Sequence, residues 1–197
     1  MRRLDLVVGP NGSGKTTFVE QRLAPLLPGS AFVNADVIAK QRWPDSPEEH
    51  SYEAAQIAST IRDTLIDQGE SFIAETVFSH PSKLDLIDRA HRAGYVVVLH
   101  VVLVPVELSV ARVAERVVEG GHRVPEEKIR SRFQRVWPLV ADAIERADHA
   151  TVYDNTAADV TRIAARFVDG DPVGEVAWPS WAPTALTGAP TAPTAQT

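Results

Sequence analysis

The stretch GPNGSGKT, from Gly9 to Thr16, decides the fold of this chain. It matches the pattern G-x-x-x-x-G-K-[ST], in which glycines let backbone N–H groups turn toward phosphate oxygens and a lysine reaches the terminal phosphates. A short apolar run at 4–8 predicts a buried strand before it. Apolar residues at helical spacing over 16–27 predict a helix after it. This strand–loop–helix context predicts a phosphate loop that binds a nucleotide.

The residues of this loop divide into two groups by their expected task. We predict that the ammonium group of Lys15 contacts the β- and γ-phosphates and assists catalysis, and that the Thr16 hydroxyl ligates Mg²⁺. The other residues expected to contact ATP are Gly9, Pro10, Asn11, Gly12, Ser13, Gly14 and Thr17. The predicted cofactors are therefore ATP and Mg²⁺.

Beyond the loop, predicted strands and helices alternate along the chain. Apolar runs predict further strands at 31–33, 72–74, 95–104 and 151–153, and amphipathic spacing predicts helices at 48–68, 81–93, 106–118, 126–147 and 157–168. Pro138 is expected to kink or break the helix over 126–147. This order predicts an α/β fold: a P-loop NTPase/kinase-like parallel sheet of about five strands, with helices on both faces.

The composition limits the possible classes of protein. The 197 residues are 44% hydrophobic and 23% charged, which is typical of one globular domain. The net charge of −6 argues against a general nucleic-acid-binding surface. The absence of cysteine excludes disulfides, thiolate metal sites and a cysteine nucleophile. His100 and Pro105 interrupt the longest apolar stretch, which is too short to span a membrane. We therefore expect a cytoplasmic protein with no membrane partner and, from its negative charge, no nucleic-acid partner.

The last part of the chain differs in composition. We predict a P-loop kinase domain over 1–170 and a Pro/Ala/Thr-rich, disordered tail over 171–197. Its end, 184–197, has neither charge nor apolar periodicity. Trp178 and Trp181 either dock on the domain or form an exposed site for a partner.

Acidic residues follow two of the predicted strands. Asp36 comes after the strand at 31–33, and Glu75 and Thr76 follow the strand at 72–74. Ligands of open parallel sheets bind at the carboxyl ends of the strands, so these side chains are candidates for the acceptor site, and Glu75 could instead help to hold the metal. Asp36 could accept a proton from a hydroxyl nucleophile, or could instead be the N-cap of a short helix. Ser79 offers a further hydroxyl, or caps the helix that begins near Pro81.

A basic segment lies between residues 112 and 135. It has seven positive and four negative residues in an otherwise acidic chain, and two glycines interrupt it. We predict a lid around 119–128 that closes over the triphosphate. Most of its arginines would lie on a solvated helix face, and those assigned a function are Arg116 and Arg132 in catalysis, Arg112 in ATP binding, and Arg123, with His122, in acceptor binding.

Asn155 follows the last predicted parallel strand. That position lies on the side of the sheet where a nucleotide base binds, and we include Asn155 among the ATP-binding candidates. A turn or a helix N-cap is the alternative.

Four segments together resemble the zeta-toxin family of P-loop kinases. They are GPNGSGKTT at 9–17, NAD at 34–36, ETVFSH at 75–80 and RVAERVVEGGHRVPEEKIRSRF at 112–133. The resemblance implies a kinase that phosphorylates the amino sugar of UDP-N-acetylglucosamine and is the toxin of a toxin–antitoxin pair, with a protein antitoxin as partner. It also implies that Asp36 is the general base, that Glu75 and Thr76 face the sugar, and that Arg116, with Arg130 or Arg132, serves the γ-phosphate.

Two other functions remain open at this stage. The first is a kinase for another acceptor, such as a nucleotide, a different sugar or a nucleic-acid end. The second is a nucleotide-binding interaction module with little turnover, whose partner site would be the tail with Trp178 and Trp181.

Overall fold

A seven-stranded sheet forms the centre of the protein, in the spatial order β2-β3-β1-β4-β5-β6-β7. The computed structural model describes residues 1–118, 124–157 and 160–188. Its strands are β1 (Arg2–Val8), β2 (Ala31–Asn34), β3 (Phe72–Thr76), β4 (Tyr95–Leu103), β5 (His149–Asp154), β6 (Arg162–Val168) and β7 (Asp171–Pro172).

The helices connect the strands as the alternating pattern predicts. They are α1 (Lys15–Phe18), which continues as a π-helical turn (Val19–Leu23), α2 (Ala35–Arg42), α3 (Ser51–Gln68), α4 (Leu84–Arg92), α5 (Val106–Val118), α6 (Glu126–Arg146) and α7 (Thr184–Thr187). A 3₁₀ turn (Pro81–Lys83) precedes α4. The helix α6 continues through Pro138, so the predicted break does not occur.

The five strands predicted from the sequence are confirmed, and all five are parallel. The central strand β1 pairs with β3 on one side and with β4 on the other, so that Leu6 lies beside both Ala74 and Leu99. The strand β2 pairs with β3, and β5 pairs with β4. This register brings the ends of β1, β2 and β3 to the same edge of the sheet.

The sheet has two more strands than the predicted five, and both are antiparallel. The helix predicted over 157–168 is wrong, because its second part is the strand β6, which pairs with β5. Ala165 and Phe167 are buried while Arg166 is exposed, an alternation that places one face of β6 on the core. Alanine and arginine favour helices in isolation, but pairing with an existing sheet edge overrides that preference.

The two faces of the sheet are covered unequally. On one face α3, α4 and α6 pack over a large core that includes Leu4, Leu6 and Val97. On the other face the segment α1 covers a smaller cluster that includes Val7, Phe18 and Ile73. Helices on both faces are therefore confirmed, and the smaller cluster lies directly beneath the phosphate loop.

The first part of the expected disordered tail has a defined structure. Residues 171–188 add β7 to the sheet edge and end in α7, whose Leu186 is 3% exposed. Trp178 and Trp181 are half-buried and pack against the larger core, so the docked alternative holds for both. The end of the predicted tail, 189–197, lies outside the described residues.

Within the described ranges, none of the helices has the length and apolar character needed to cross a membrane.

Candidate active site

The phosphate loop between β1 and α1 is shaped by glycines at positions where a Cβ atom would meet close neighbours. Gly14 has a φ of 87°. A Cβ atom on Gly14 would lie 2.6 Å from Nδ2 of Asn155, and one on Gly9 would lie 2.4 Å from the carbonyl oxygen of Val102. Both distances are far below van der Waals contact. The loop backbone is therefore held against β4 and against the segment after β5.

Polar atoms of the loop are buried without partners. Oδ1 of Asn11 and Oγ of Ser13 are both sealed from solvent and have no hydrogen-bond partner. Buried polar atoms in this state are costly unless a ligand or water satisfies them. The Ser13 hydroxyl fits a phosphate oxygen of a nucleotide, to which it would donate, whereas Oδ1 of Asn11 is an acceptor and would need a donor such as a bound water. Thr17 lies exposed on α1, one residue beyond the loop.

The Lys15 side chain lies across the loop. It is 7% exposed, and its Nζ donates to the carbonyl oxygen of Pro10 at 2.9 Å. Burial lowers the pKa of Lys15, the carboxylates of Glu75 and Asp36 raise it, and Arg116 lowers it again. Lys15 is thus surrounded by the charged residues that the sequence assigned to the same site.

Thr16, Glu75 and Asn34 form a hydrogen-bonded group next to Lys15. The Thr16 hydroxyl lies 3.0 and 3.1 Å from the two carboxylate oxygens of Glu75, and Nδ2 of Asn34 donates to one of them at 2.7 Å. Mg²⁺ prefers one or two protein oxygens together with phosphate oxygens and water. The Thr16 hydroxyl and the Glu75 carboxylate fit such an ion. Within the described residues, no cluster of three or more His, Cys, Asp or Glu side chains is arranged to hold a metal.

Asp36 lies in the first turn of α2, at the carboxyl end of β2. It is not the N-cap, which was the structural alternative. Asn34 caps the helix, since its side-chain oxygen accepts from the backbone N–H of Asp36 at 2.7 Å and of Val37 at 3.3 Å. Burial lowers the pKa of Lys15 and of Arg132, and the carboxylate of Asp36 opposes this lowering in both residues. Asp36 therefore lies within electrostatic reach of both cations.

The structure distinguishes between the arginines of the basic segment. Arg116 on α5 acts on Lys15, and its buried Nε has no hydrogen-bond partner. Arg132 on α6 is half-buried. Burial lowers the pKa of Arg132, and so does the charge of Arg135. The carboxylate of Asp36 opposes them, but the net pKa lies below the ordinary value. Arg130, two residues before Arg132, instead forms surface ion pairs with Glu107 and Glu126. Of the two alternatives, Arg132 is the one that interacts electrostatically with Asp36.

Arg112 and Asn155 support the loop instead of lying open to a ligand. Nδ2 of Asn155 donates to the carbonyl oxygen of Ser13 at 2.8 Å, and Oδ1 of Asn155 accepts from the Thr161 hydroxyl at 3.0 Å. Arg112 donates to the carbonyl oxygen of Asn155 at 3.1 Å and to that of Thr156 at 3.3 Å. Both residues lie beside the loop as predicted, but these side-chain groups already have partners within the protein.

The remaining predicted residues lie in two places. Oγ1 of Thr76 accepts from the backbone N–H of Phe78 at 3.4 Å, just beyond β3. The cap before Pro81 is His80, not Ser79, because the His80 side chain accepts from the N–H of Ser82. His122, Arg123 and the predicted lid from 119 to 123 lie outside the described residues, and the rest of that lid leads into α6.

Sequence reasoning missed Asn34 and the buried group formed by Asp5 and His100. Nε2 of His100 lies 2.9 Å from Oδ1 of Asp5, and Arg3 donates to the same carboxylate. Asp5 and His100 each lie between apolar residues inside a strand. A polar residue at such a core position is the sequence signal that could have indicated a buried ion pair. Asn34 could have been found as a capping residue two positions before Asp36.

These features define the class of protein. A phosphate loop follows β1 of a mostly parallel sheet, and an aspartate just beyond the end of β2 lies within electrostatic reach of a lysine and an arginine. This is the architecture of the P-loop phosphotransferases.

The comparison with protein families narrows this class. The family described as Zeta toxin matches residues 2–161, and the chain belongs to that family. An uncharacterized protein of Haemophilus influenzae (strain ATCC 51907 / DSM 11121 / KW20 / Rd) is 29% identical over 128 residues, which cover 64% of this chain and 88% of that protein.

Solved structures show the same fold. A chain of the AvrRxo1-ORF1:-ORF2 crystal structure with ATP superposes with a TM-score of 0.69 at 20% identity, over 89% of this chain and 61% of that one. A chain of the PezAT chromosomal toxin–antitoxin system of Streptococcus pneumoniae gives a TM-score of 0.61 at 15% identity, over 82% and 71%. Shikimate kinase from Acinetobacter baumannii gives 0.50 at 23% identity, over 72% and 80%. The chain thus spans less than two thirds of the AvrRxo1 chain.

Proposed function

We propose that this protein is an ATP-dependent kinase of the zeta-toxin type, which transfers the γ-phosphoryl group to a hydroxyl of a small-molecule acceptor. The observation that carries the proposal is the position of Asp36, a carboxylate within electrostatic reach of both Lys15 and Arg132 at the end of a strand. A general base for a hydroxyl nucleophile needs this placement, next to the cations that hold the phosphoryl group.

In the proposed reaction these side chains have the following roles. The acceptor oxygen attacks the γ-phosphorus and forms a new P–O bond. The bond between the γ-phosphorus and the β–γ bridging oxygen breaks, and ADP leaves with that electron pair. Asp36 receives the proton of the acceptor hydroxyl. Lys15, Arg116 and Arg132 stabilise the negative charge on the transferred group. Thr16 and Glu75 would hold Mg²⁺, which would supply positive charge for the phosphates.

We propose UDP-N-acetylglucosamine as the leading acceptor. The support is family membership and the placement of Glu75 and Thr76 at the end of β3, beside Asp36 on the neighbouring strand end. A nucleotide, a different sugar or a nucleic-acid end remains the alternative acceptor.

We also propose that the protein is the toxin of a toxin–antitoxin pair. PezAT, whose fold this chain shares, is described as a chromosomal toxin–antitoxin system. A protein antitoxin would inhibit transfer by covering the phosphate loop near Lys15 or the lid. The alternative of an interaction module loses support, because Trp178 and Trp181 pack against the protein's own core.

An acceptor screen tests the proposed kinase. Wild type, Lys15→Ala, Asp36→Asn and Asp45→Asn are incubated with γ-labelled ATP, Mg²⁺ and UDP-sugars, nucleotides, free sugars or oligonucleotides. Asp45 is an exposed aspartate just beyond α2, so Asp45→Asn is the matched control. We expect label on UDP-N-acetylglucosamine, a loss of about 10²–10⁴-fold in Asp36→Asn, and wild-type transfer in Asp45→Asn.

Binding measurements separate the role of Asp36 from that of Lys15. Asp36→Asn should still bind ATP, whereas Lys15→Ala should bind it weakly. Full transfer by Asp36→Asn would refute the assignment of the base. Label on another acceptor would retain the kinase and discard the nucleotide sugar. ATP binding without transfer to any acceptor would favour the interaction module.

A further inference from the structure

Arg62 is a buried cation that the proposed reaction does not use. It lies on the inner face of α3 with Ala58 and Ile66 and is 6% exposed. Its Nε atom is sealed from solvent and has no hydrogen-bond partner. Within the described residues, no ion pair includes Arg62. A guanidinium in this state is costly, because the protein removes its water without replacing the lost hydrogen bonds.

A second cation lies close to Arg62. Lys83 ends the 3₁₀ turn between β3 and α4 and is half-buried. Burial lowers the pKa of Lys83, and the charge of Arg62 lowers it further. The two positive groups therefore repel each other in a partly desolvated space.

The nearest carboxylate does not neutralise this pair. Asp63, next to Arg62 on α3, raises the pKa of Arg62, but its Oδ1 already accepts a hydrogen bond from Arg89 on α4. Arg89 in turn lowers the pKa of Arg62. Arg62 and Arg89 thus share the carboxylate of Asp63 between α3 and α4, and Lys83 adds a third positive charge near Arg62.

The location of this cluster relates it to the acceptor side of the site. Lys83 ends the segment that follows β3, whose last residues are Glu75 and Thr76. The helix α3 packs against α2, the helix whose first turn contains Asp36. The phosphate loop is braced instead from β4, α5 and the segment after β5. An anion bound at Arg62 and Lys83 would thus lie away from the ATP phosphates.

We propose that Arg62 and Lys83 form an anion-binding subsite for a phosphate or carboxylate group of the acceptor, remote from the hydroxyl that is phosphorylated. An oxyanion would supply the hydrogen-bond acceptor that Nε of Arg62 lacks. Its negative charge would also offset the repulsion between the two cations. Neutral free sugars lack such a group and are excluded as good acceptors. The link to the acceptor rests on the proposed kinase function, whereas anion binding itself does not.

A binding experiment tests the subsite without turnover. The full chain is saturated with Mg²⁺ and a non-hydrolysable ATP analogue, so that the phosphate loop is filled. Its melting temperature is then followed as inorganic phosphate replaces chloride at constant ionic strength. We expect a saturable rise for wild type and for Lys40→Met, an exposed lysine on α2 that serves as control. Arg62→Met and Lys83→Met should lose the rise.

The ligand-free stability of the same variants distinguishes an anion site from a structural arginine. Without phosphate, Arg62→Met should melt at the same temperature as wild type or higher, because it removes an unpaired buried charge and keeps an unbranched side chain. A lower melting temperature together with an undiminished phosphate response would overturn the proposal. Lys83→Met gives an independent answer if Arg62→Met fails to fold.

Kinetics with the acceptor identified by the screen complete the test. Arg62→Met should raise the KM for the acceptor about tenfold or more and leave the KM for ATP unchanged. Unchanged acceptor KM in both variants would overturn the link to the acceptor. If the screen finds no acceptor while phosphate still binds through Arg62 and Lys83, the kinase proposal fails and the anion site stands.

Discussion

The donor half and the acceptor half of the site are built differently. The donor half consists of β1, the phosphate loop, α5 and the end of β5, and hydrogen bonds within the protein fix its backbone. Asn155 donates to the loop carbonyl of Ser13, and the Ser109 hydroxyl donates to that of Asn11. The acceptor half consists of α2, α3 and the segment from β3 to α4, where the buried Nε of Arg62 lacks a hydrogen-bond partner, as does the buried Nε of Arg116 in the donor half.

This difference indicates what each half requires of its ligand. The donor half has its shape before ATP binds, so little conformational entropy is lost on binding. In the acceptor half the positive charges of Arg62 and Lys83 repel each other, so we expect its ligand to supply negative charge. A change in the donor half should therefore affect ATP binding and protein stability, and a change in the acceptor half should affect the choice of acceptor.

The largest effect that sharpens this comparison is expected from Arg132→Gln. Arg132 is half-buried beside Asp36, where donor and acceptor halves meet, and the variant loses positive charge at the transferred phosphoryl group. We expect kcat to fall by about 10²–10³-fold, with smaller changes in both KM values. Steady-state kinetics with the identified acceptor measure this.

Arg130→Gln is the matched control for this prediction. Arg130 lies on the same helix, but its ion pairs with Glu107 and Glu126 are on the surface, where such pairs contribute little. We expect near wild-type kcat. A larger loss in Arg130→Gln than in Arg132→Gln would reverse the assignment of the two arginines.

The sequence predicted the donor half better than the acceptor half. The pattern from Gly9 to Thr16 has fixed spacing within one segment, so its structure follows from local rules. The choice between Arg130 and Arg132 depends on how α6 is rotated against the sheet, which no local pattern contains. The unpartnered state of Arg62 depends on which side chains α4 brings near it, and it became visible only in the packed structure.

The next effect concerns the stability of the donor half. Asp5 is 2% exposed beneath the phosphate loop and is paired with His100 and Arg3. Burial raises the pKa of Asp5, but hydrogen bonds from His100 and Arg3 outweigh it, so the net pKa lies below the ordinary value. We expect Asp5→Asn to lower the free energy of unfolding at pH 7 by about 2–3 kcal/mol.

The pH dependence of stability checks the cause of this effect. A carboxyl group with a lower pKa in the folded state contributes fully above the unfolded pKa of about 4, and this contribution is lost as the pH falls toward the folded pKa. The stability difference between wild type and Asp5→Asn should therefore shrink below about pH 4. Urea unfolding at several pH values measures it, with the exposed Asp85→Asn on α4 as control. A difference that stays constant with pH would contradict the assignment.

The fold shows the same division between local and non-local information. The five parallel strands are apolar runs that are recognisable in isolation. The strand β6 was mistaken for a helix, because Ala164 and Ala165 are good helix formers and only the free edge of β5 makes this segment a strand. The ordered start of the tail depends on a surface on the core that accepts Leu186, Trp178 and Trp181. Long-range contacts of this kind leave no periodic signal in a sequence.

The smallest expected effect tests whether the bracing of the donor half matters for binding ATP. Asn155→Ala removes the hydrogen bond to the carbonyl oxygen of Ser13 and leaves that oxygen without its protein partner. We expect affinity for the ATP analogue to fall about tenfold, equivalent to about 1.4 kcal/mol, while the acceptor KM stays unchanged. Asn155→Asp should be worse than Asn155→Ala, because a carboxylate would face the same carbonyl oxygen.

Thr161→Val is the graded control for this last prediction. It removes only the hydrogen bond that orients the Asn155 amide, so the loss of affinity should be smaller than in Asn155→Ala. Calorimetric titration of each variant with the analogue and Mg²⁺ gives the order. Equal affinity in wild type and both Asn155 variants would show that the loop keeps its shape without this brace. The rigidity of the donor half would then come from the glycines and the contact with β4 alone.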